Sequence, residues 1–588
     1  MKKALAVCLL GAAVMQSNLG YADTASRDQA FSALADTYFD TVYFPYQPTI
    51  GTLTGYHQYD AKIEDPARAS IDAEIAALHG FEKRVAAFDP AGLSVTTRGD
   101  RELVLSNIRS TLLTLEVIRP WEKNPDNYSG AISNAAFSLM ERKFAPADDR
   151  LRSLIAREKL MPRTLEQARI NLKNPPKVYT DIAIEQLPGI ISFFEHDVPS
   201  AFTDAKDPAV KAEFQKTNAA VIQSLKDYEQ WLKTDLLPRS QGDFRIGADT
   251  FRKKLDYDEM VDTPLDKLLE IAYADLHKNQ EHFNQIAKEL EPEKDPRTVL
   301  DELGQNHPAP DKLLQTFRDT FTGLIAFIRA HNIVTIPSEV RPIVEETPPF
   351  MRATTFASMD TPGPYEQHAT EAYFNVTLPE PGMTPKEVEG FMHAFNVGTV
   401  ISTAVHEAYP GHYVQFLWVP KAPSRVRKLL GANSNAEGWA HYCEQMMLDQ
   451  GYGQPGAGAK DERESKFLRL GQLQDALLRD ARFIVGIKLH TSASPEKFSI
   501  DDAIAFFEKE GYQSHETGVV ETKRGTSDAT YLYYTLGKLE IMKLRADLQK
   551  KEGSAFSLQN FHDQFLSQGY PPIKIVREAM LHDNSPAL

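Results

Sequence analysis

The residues whose types and spacing could do chemistry are concentrated in one stretch, Thr403-Ala-Val-His406-Glu407-Ala-Tyr-Pro410-Gly411-His412. A zinc-binding helix of a peptidase normally presents His-Glu-x-x-His, because residues four apart share one face and both imidazoles can reach one ion. Here the histidines are six apart. Six residues turn a straight helix by about 600°, which leaves the second histidine about 120° away from the first. The two extra residues are Pro410 and Gly411. Pro410 would clash with the carbonyl of His406 and has no amide to donate, so the helix must open there. Gly411 permits the unusual backbone needed to resume it. Taking the pair away restores the usual spacing, so the expectation is a bulge that returns His412 to the face of His406.

A second segment, Glu437-Gly-Trp439-Ala-His441-Tyr-Cys443-Glu444, places Glu437, His441 and Glu444 at i, i+4 and i+7, on one helix face. Trp439, Met446, Met447 and Leu448 make this helix otherwise apolar, and acids buried on such a helix need partners. A metal is the simplest one. Two histidines from one segment and a glutamate from another give the three-ligand plan of a catalytic zinc with one open position. His406, His412 and Glu437 are therefore the expected ligands of one Zn2+, and His441 stands either behind the ligands or facing a substrate.

His-Glu-x-x-Pro-Gly-His followed by Glu-Gly-Trp-x-His-Tyr-x-Glu resembles the bacterial family called domain of unknown function 885, whose members are similar to zinc peptidases of the glutamate-zincin type. The match follows the mature chain in length and order, with the specific motifs from about residue 350 onward. The resemblance implies a mostly helical, two-lobed fold, related in plan to thermolysin-clan oligopeptidases, with a deep channel. It also implies zinc on His406, His412 and Glu437, with Glu407 as general base. Asp480-Ala-Arg482 through His490 resembles the family's Arg…His helix, and Arg524 through Gly537 resembles its Arg…Tyr-x-x-Gly segment. The family usually has a proline near Asp528–Ala529, and this chain has none.

On that reading zinc makes a water more acidic and polarises the scissile carbonyl. Glu407 takes the water proton and passes it to the leaving amine. The oxyanion needs a further donor, and Tyr534 or His490 could supply it. Arg524 could hold a substrate carboxylate or serve in a structural salt bridge. The strand expected over 372–378, with Asn375 at its centre, could pair with an extended peptide by strand addition.

The elements that must position these groups read as long amphipathic helices, near 66–88, 101–117, 210–236, 264–290 and 311–330. One zone differs. Residues 334–378 are rich in Pro and Thr, with strand-like runs at 353–357 and 372–378 separated by Pro362-Gly363-Pro364. This predicts a mainly α protein with a small sheet beside the active-site helix. Helices resume at Pro385. The expected division is a helical part over 23–340 and a catalytic part over 341–588, the alternative being one integrated domain. Residues 1–22 have the three-part plan of a signal peptide: Lys2-Lys3, an apolar run from Ala4 to Val14, and small residues before a cleavage after Ala22. That places the mature protein in the periplasm or outside the cell.

The chain has 588 residues, 65 Lys+Arg against 81 Asp+Glu, and 42% hydrophobic residues. These proportions exclude a low-complexity or collagen-like chain. A net charge of -16 without a basic run argues against nucleic acid as a partner. No later apolar run is long enough to span a bilayer. With Cys8 in the leader, Cys443 has no cysteine to pair with. The expectation is a zinc peptidase acting on short or unfolded peptides. The alternatives are a zinc amidase for a non-peptide or cell-wall amide, and a helical binding protein with a degenerate metal site.

Overall fold

The protein is described by a computed structural model covering residues 24–348, 352, 355–492 and 497–588. The expected leader (1–22) and the expected strand start at Ala353–Thr354 lie outside these residues. The chain is mainly α, as its periodicity predicts. Helices run over Arg68–Ala87, Val95–Leu112, Pro208–Trp231, Leu265–Leu290 and Leu313–Ala330. The second begins six residues earlier than its apolar period suggests, because Ser94 caps it: the Ser94 hydroxyl accepts from the Thr97 N–H at 3.2 Å. Among the described residues no helix is long and apolar enough to cross a membrane.

The sheet has three short strands, β1 (Ile343–Glu346), β2 (Ala357–Asp360) and β3 (Tyr373–Val376), in the order β1-β3-β2. β3 lies parallel to β1 and antiparallel to β2, with Asn375 opposite Glu345 on one side and Ser358 on the other. This corrects the strand-addition expectation. β3 is the central strand, its ladder hydrogen bonds are taken on both sides, and Asn375 is buried at 2% exposure, so it cannot receive an extended peptide.

The sheet positions the candidate site through its apolar face. Phe374 packs against Phe317 and Phe321, with ring centroids 4.9 and 5.4 Å apart. Val376 joins the same core as Val400, Ala404 and Val405 of the Val397–Glu407 helix. A second core joins Leu268, Leu276 and Phe283 of the Leu265–Leu290 helix to Leu477 and Ile484 of the Glu462–Thr491 helix and to Leu536. Both cores thus combine residues from either side of position 340. A third, drawn from 128–236, is made entirely within the N-terminal part.

The helix Asn433–Asp449 crosses the helix Tyr533–Glu552 at two glycines. A Cβ on Gly438 would stand 2.6 Å from the Gly537 backbone, and one on Gly537 would stand 1.8 Å from the Ser434 carbonyl oxygen. No side chain fits between these helices, and neither can give way without moving Glu437 or Tyr534. Gly537→Ala is therefore expected to destabilise by about 1–3 kcal/mol or more. Gly130→Ala, in a helix where nothing lies within 4 Å, should stabilise by roughly 0.5–1 kcal/mol. Thermal unfolding of the two variants should move in opposite directions, and equal midpoints would refute the packing argument.

Candidate metal centre

The helix that carries His406 does not bulge. It ends at Glu407, and a new helix starts at His412 and runs to Trp418. This corrects the expectation of a bulge at which one helix opens and resumes. Pro410 lacks an N–H and ends the first helix, and the link folds back on it: the Gly411 N–H donates to the Val405 carbonyl at 3.0 Å. Gly411 sits so close to the end of the first helix that a Cβ would lie 1.8 Å from the His406 carbonyl oxygen. Trp439 holds the link from the other side, its Nε1 donating to the Pro410 carbonyl at 3.0 Å. The spacing of six is thus a helix end, a tight link and a helix start.

The outcome for the side chains is convergence. His406 Nε2 and His412 Nε2 each lie 3.3 Å from the same Glu437 oxygen, Oε2, and the three ligand atoms fall within 4.8 Å of one another. Two atoms bound about 2.0–2.1 Å from one zinc at a tetrahedral angle stand about 3.3–3.4 Å apart. The donor set and its spacing fit zinc. Glu437 Oε2 is buried without a hydrogen-bond partner, while its side chain as a whole remains 24% exposed, which leaves the cluster open on one side.

Glu444, one helical turn beyond His441, orients the first ligand. It is buried, accepts from His406 Nδ1 at 2.6 Å and from His441 Nδ1 at 3.0 Å, and forms an ion pair with Arg479 at 3.0 Å. With Nδ1 committed to Glu444, His406 turns Nε2 toward Glu437. Against the cost of burial, Glu437 and Glu444 raise the His406 pKa to about 9. His441 is wholly buried, and burial lowers its pKa to about 3. It stands behind Glu444, which excludes the substrate-facing alternative. The roles of Glu444 and Arg479 were missed in the sequence. The i+7 spacing from Glu437 marked Glu444 as a member of the face, but only packing reveals what it holds.

Glu407 is half-buried, and its carboxylate makes no hydrogen bond or ion pair among the described residues. Burial raises its pKa, opposed by His406 and His412. Tyr534 is beside the centre, its ring 6.3 Å from that of His406 and tilted by 24°. Three arginines surround that ring: Arg482 at 4.8 Å, Arg479 at 5.6 Å and Arg524 at 5.7 Å. Arg482 is held by Glu521 through two bonds of 2.6 and 2.7 Å. Arg524 keeps 38% of its side chain exposed, with Asp528 at 3.5 Å and the Tyr534 hydroxyl, which accepts from it, at 3.1 Å.

The structure does not bring His490 to the centre. It follows Arg479 by eleven residues on one helix, about 16 Å along the axis. Its Nε2 donates to the Gly525 carbonyl at 2.7 Å, and burial among Phe244 and Phe251 lowers its pKa to about 4. It packs the helix end and cannot reach an oxyanion at the cluster.

Gly411→Ala forces a Cβ into the His406 carbonyl and must displace His412. The variant is expected to lose about 1–3 kcal/mol or more of stability, read as a lowered thermal midpoint. An unchanged midpoint would show the link to be freely deformable.

No curated protein matches the sequence. Two solved structures share the fold over nearly the whole chain. One, provisionally described as a lipoprotein of unknown function from Shewanella oneidensis, is 27% identical with a TM-score of 0.76, covering 94% of this chain and 99% of that one. The other, provisionally described as a lipoprotein from Colwellia psychrerythraea, is 17% identical with a TM-score of 0.76, covering 96% and 99%. A family model described as "Bacterial protein of unknown function (DUF885)" matches residues 48–580, and the chain belongs to that family.

Proposed function

We propose that this protein is a zinc-dependent hydrolase of amide bonds in short or unfolded peptides, working outside the cytoplasm. The observation that carries the reading is Glu407: a carboxylate with no partner of its own, next in sequence to one of three convergent ligand groups. A purely structural metal site has no use for such a group. His406, His412 and Glu437 would hold the ion, and the open side of the cluster admits a substrate. When bound, zinc supplies Lewis acidity, which makes a water more acidic and withdraws electron density from an amide carbonyl.

The chain's own groups do the rest. Glu407 accepts the proton of the attacking water and delivers it to the leaving nitrogen. The Tyr534 hydroxyl accepts from Arg524, so its own proton is free for the oxygen on which negative charge develops. Arg524, the most exposed of the three arginines around Tyr534, fits a free carboxylate on the substrate. Short peptides present such a terminus in a confined site, and folded proteins seldom do, which supports the peptide class. The leader-like residues 1–22 and the two structural neighbours described as lipoproteins support an extracytoplasmic location.

Two measurements test this. Glu407→Gln should retain zinc and fold while kcat on a peptide mixture falls by about 10²–10⁴-fold; full activity, or loss of zinc, would remove Glu407 from the base role. Glu444→Gln preserves shape but weakens the hydrogen bond that orients His406. Zinc affinity should fall by about 10–100-fold, measured by competition with a chelator. Undiminished affinity would mean that Glu444 serves packing alone.

A further inference from the structure

A second histidine–carboxylate cluster lies on the surface, just ahead of the helix that carries His406. Glu389 and His393 are four residues apart, on the helix Pro385–Met392 and the 3₁₀ turn that continues it, and so share one face. His307 reaches them from the segment that follows the helix Pro296–Gly304. That segment is anchored to the start of the ligand helix, since the Val397 N–H donates to the Asn306 carbonyl at 2.9 Å.

The hydrogen bonds fix what the ring of His307 presents. Its Nδ1 lies 2.9 Å from the Pro308 carbonyl, which can only accept, so Nδ1 carries the proton. The other nitrogen, Nε2, lies 3.2 Å from Glu389 Oε1. With Nδ1 turned to the Pro308 carbonyl, the nitrogen left to face Glu389 is Nε2, the atom an imidazole offers to a metal ion. His393 Nε2 faces the same oxygen at 3.7 Å, is shielded from solvent and has no hydrogen-bond partner. The His393 ring is also set against Gly304, where a Cβ would stand 3.0 Å from Nδ1.

We infer that His307, Glu389 and His393 form a second site for a divalent cation of the zinc type. The three ligand atoms lie within 4.8 Å of one another, and separations of 3.2 and 3.7 Å bracket the roughly 3.3–3.4 Å expected of tetrahedral zinc ligands. The Nδ1–carbonyl bond of His307 is the support that orients a metal-binding imidazole. Glu389 is 57% exposed, so water completes the coordination. No free carboxylate adjoins these ligands as Glu407 adjoins His406. The site's role is to clamp the 305–308 segment to the helix leading into Val397.

The test is zinc stoichiometry of the full chain after equilibration with micromolar zinc, by elemental analysis. His393→Ala should remove one equivalent relative to the unmodified chain, and Glu389→Gln, which keeps side-chain size, should do the same. Zinc should raise the thermal midpoint of Glu437→Ala and leave that of the double variant Glu437→Ala/His393→Ala unmoved. Unchanged stoichiometry in both His393→Ala and Glu389→Gln would overturn the site. The reading of the catalytic centre fails separately: there, Glu437→Ala would remove no equivalent while His393→Ala still removed one.

Discussion

The geometry of the centre depends on one buried carboxylate. Glu444 accepts from His406 and His441 and pairs with Arg479, almost fully shielded from water, and a buried carboxylate held by two donors and a guanidinium is fixed far more firmly than a surface one. Because Glu444 lies two helical turns from Glu437 on the same helix, a single rigid element sets both the position of Glu437 and the orientation of His406. Rotation of that helix would break the Glu444 bonds and withdraw Glu437 together. The glycine crossing of Gly438 on Gly537 prevents it by removing any clearance between backbones. The crossing also ties the position of Glu437 to that of Tyr534, three residues before Gly537.

Much of this was legible in the sequence for physical reasons that can be named. Helix periodicity located the long helices because each buries one stripe, and the cap at Ser94 accounts for the early start of one of them. The convergence of His406, His412 and Glu437 was legible because two histidines and a glutamate on apolar helices need each other or a common partner. The link was only half legible. Pro410 and Gly411 announced a break, but a local rule could not distinguish a bulge from a helix end. What decides it is the fold of residues 408–411 back onto Val405 and the long-range hydrogen bond from Trp439.

Long-range placement was illegible. The strand at 373–376 has the composition of an edge strand able to receive a peptide, yet Ile343–Glu346 and Ala357–Asp360 take both of its sides. His490 and Arg479 differ by three turns of one helix, and periodicity along a helix says which face a residue shares but not which end of it meets the centre. His441 shared the face of Glu437 and was open to two readings; only the packing of Glu444 in front of it selects one.

Charge pairing around the centre makes the strongest argument for what belongs there. Arg479 is matched by Glu444 and Arg482 by Glu521. Lys538, buried beneath the helix crossing, is matched by Asp275, and Arg524 lies near Asp528. Each cationic side chain near the cluster already has a carboxylate. Among the described residues neither Glu437 nor Glu407 is paired with an arginine or lysine: Glu437 pairs with the two histidines, and Glu407 makes no ion pair. Leaving two carboxylates together in a poorly hydrated site without compensation would cost several kcal/mol. Protonating both would satisfy the charge but would squander the Nε2 that Glu444 turns toward Glu437. The dication of the proposed function would answer the charge of Glu437 and of the adjacent Glu407 at once, with Glu407 left unligated at its edge.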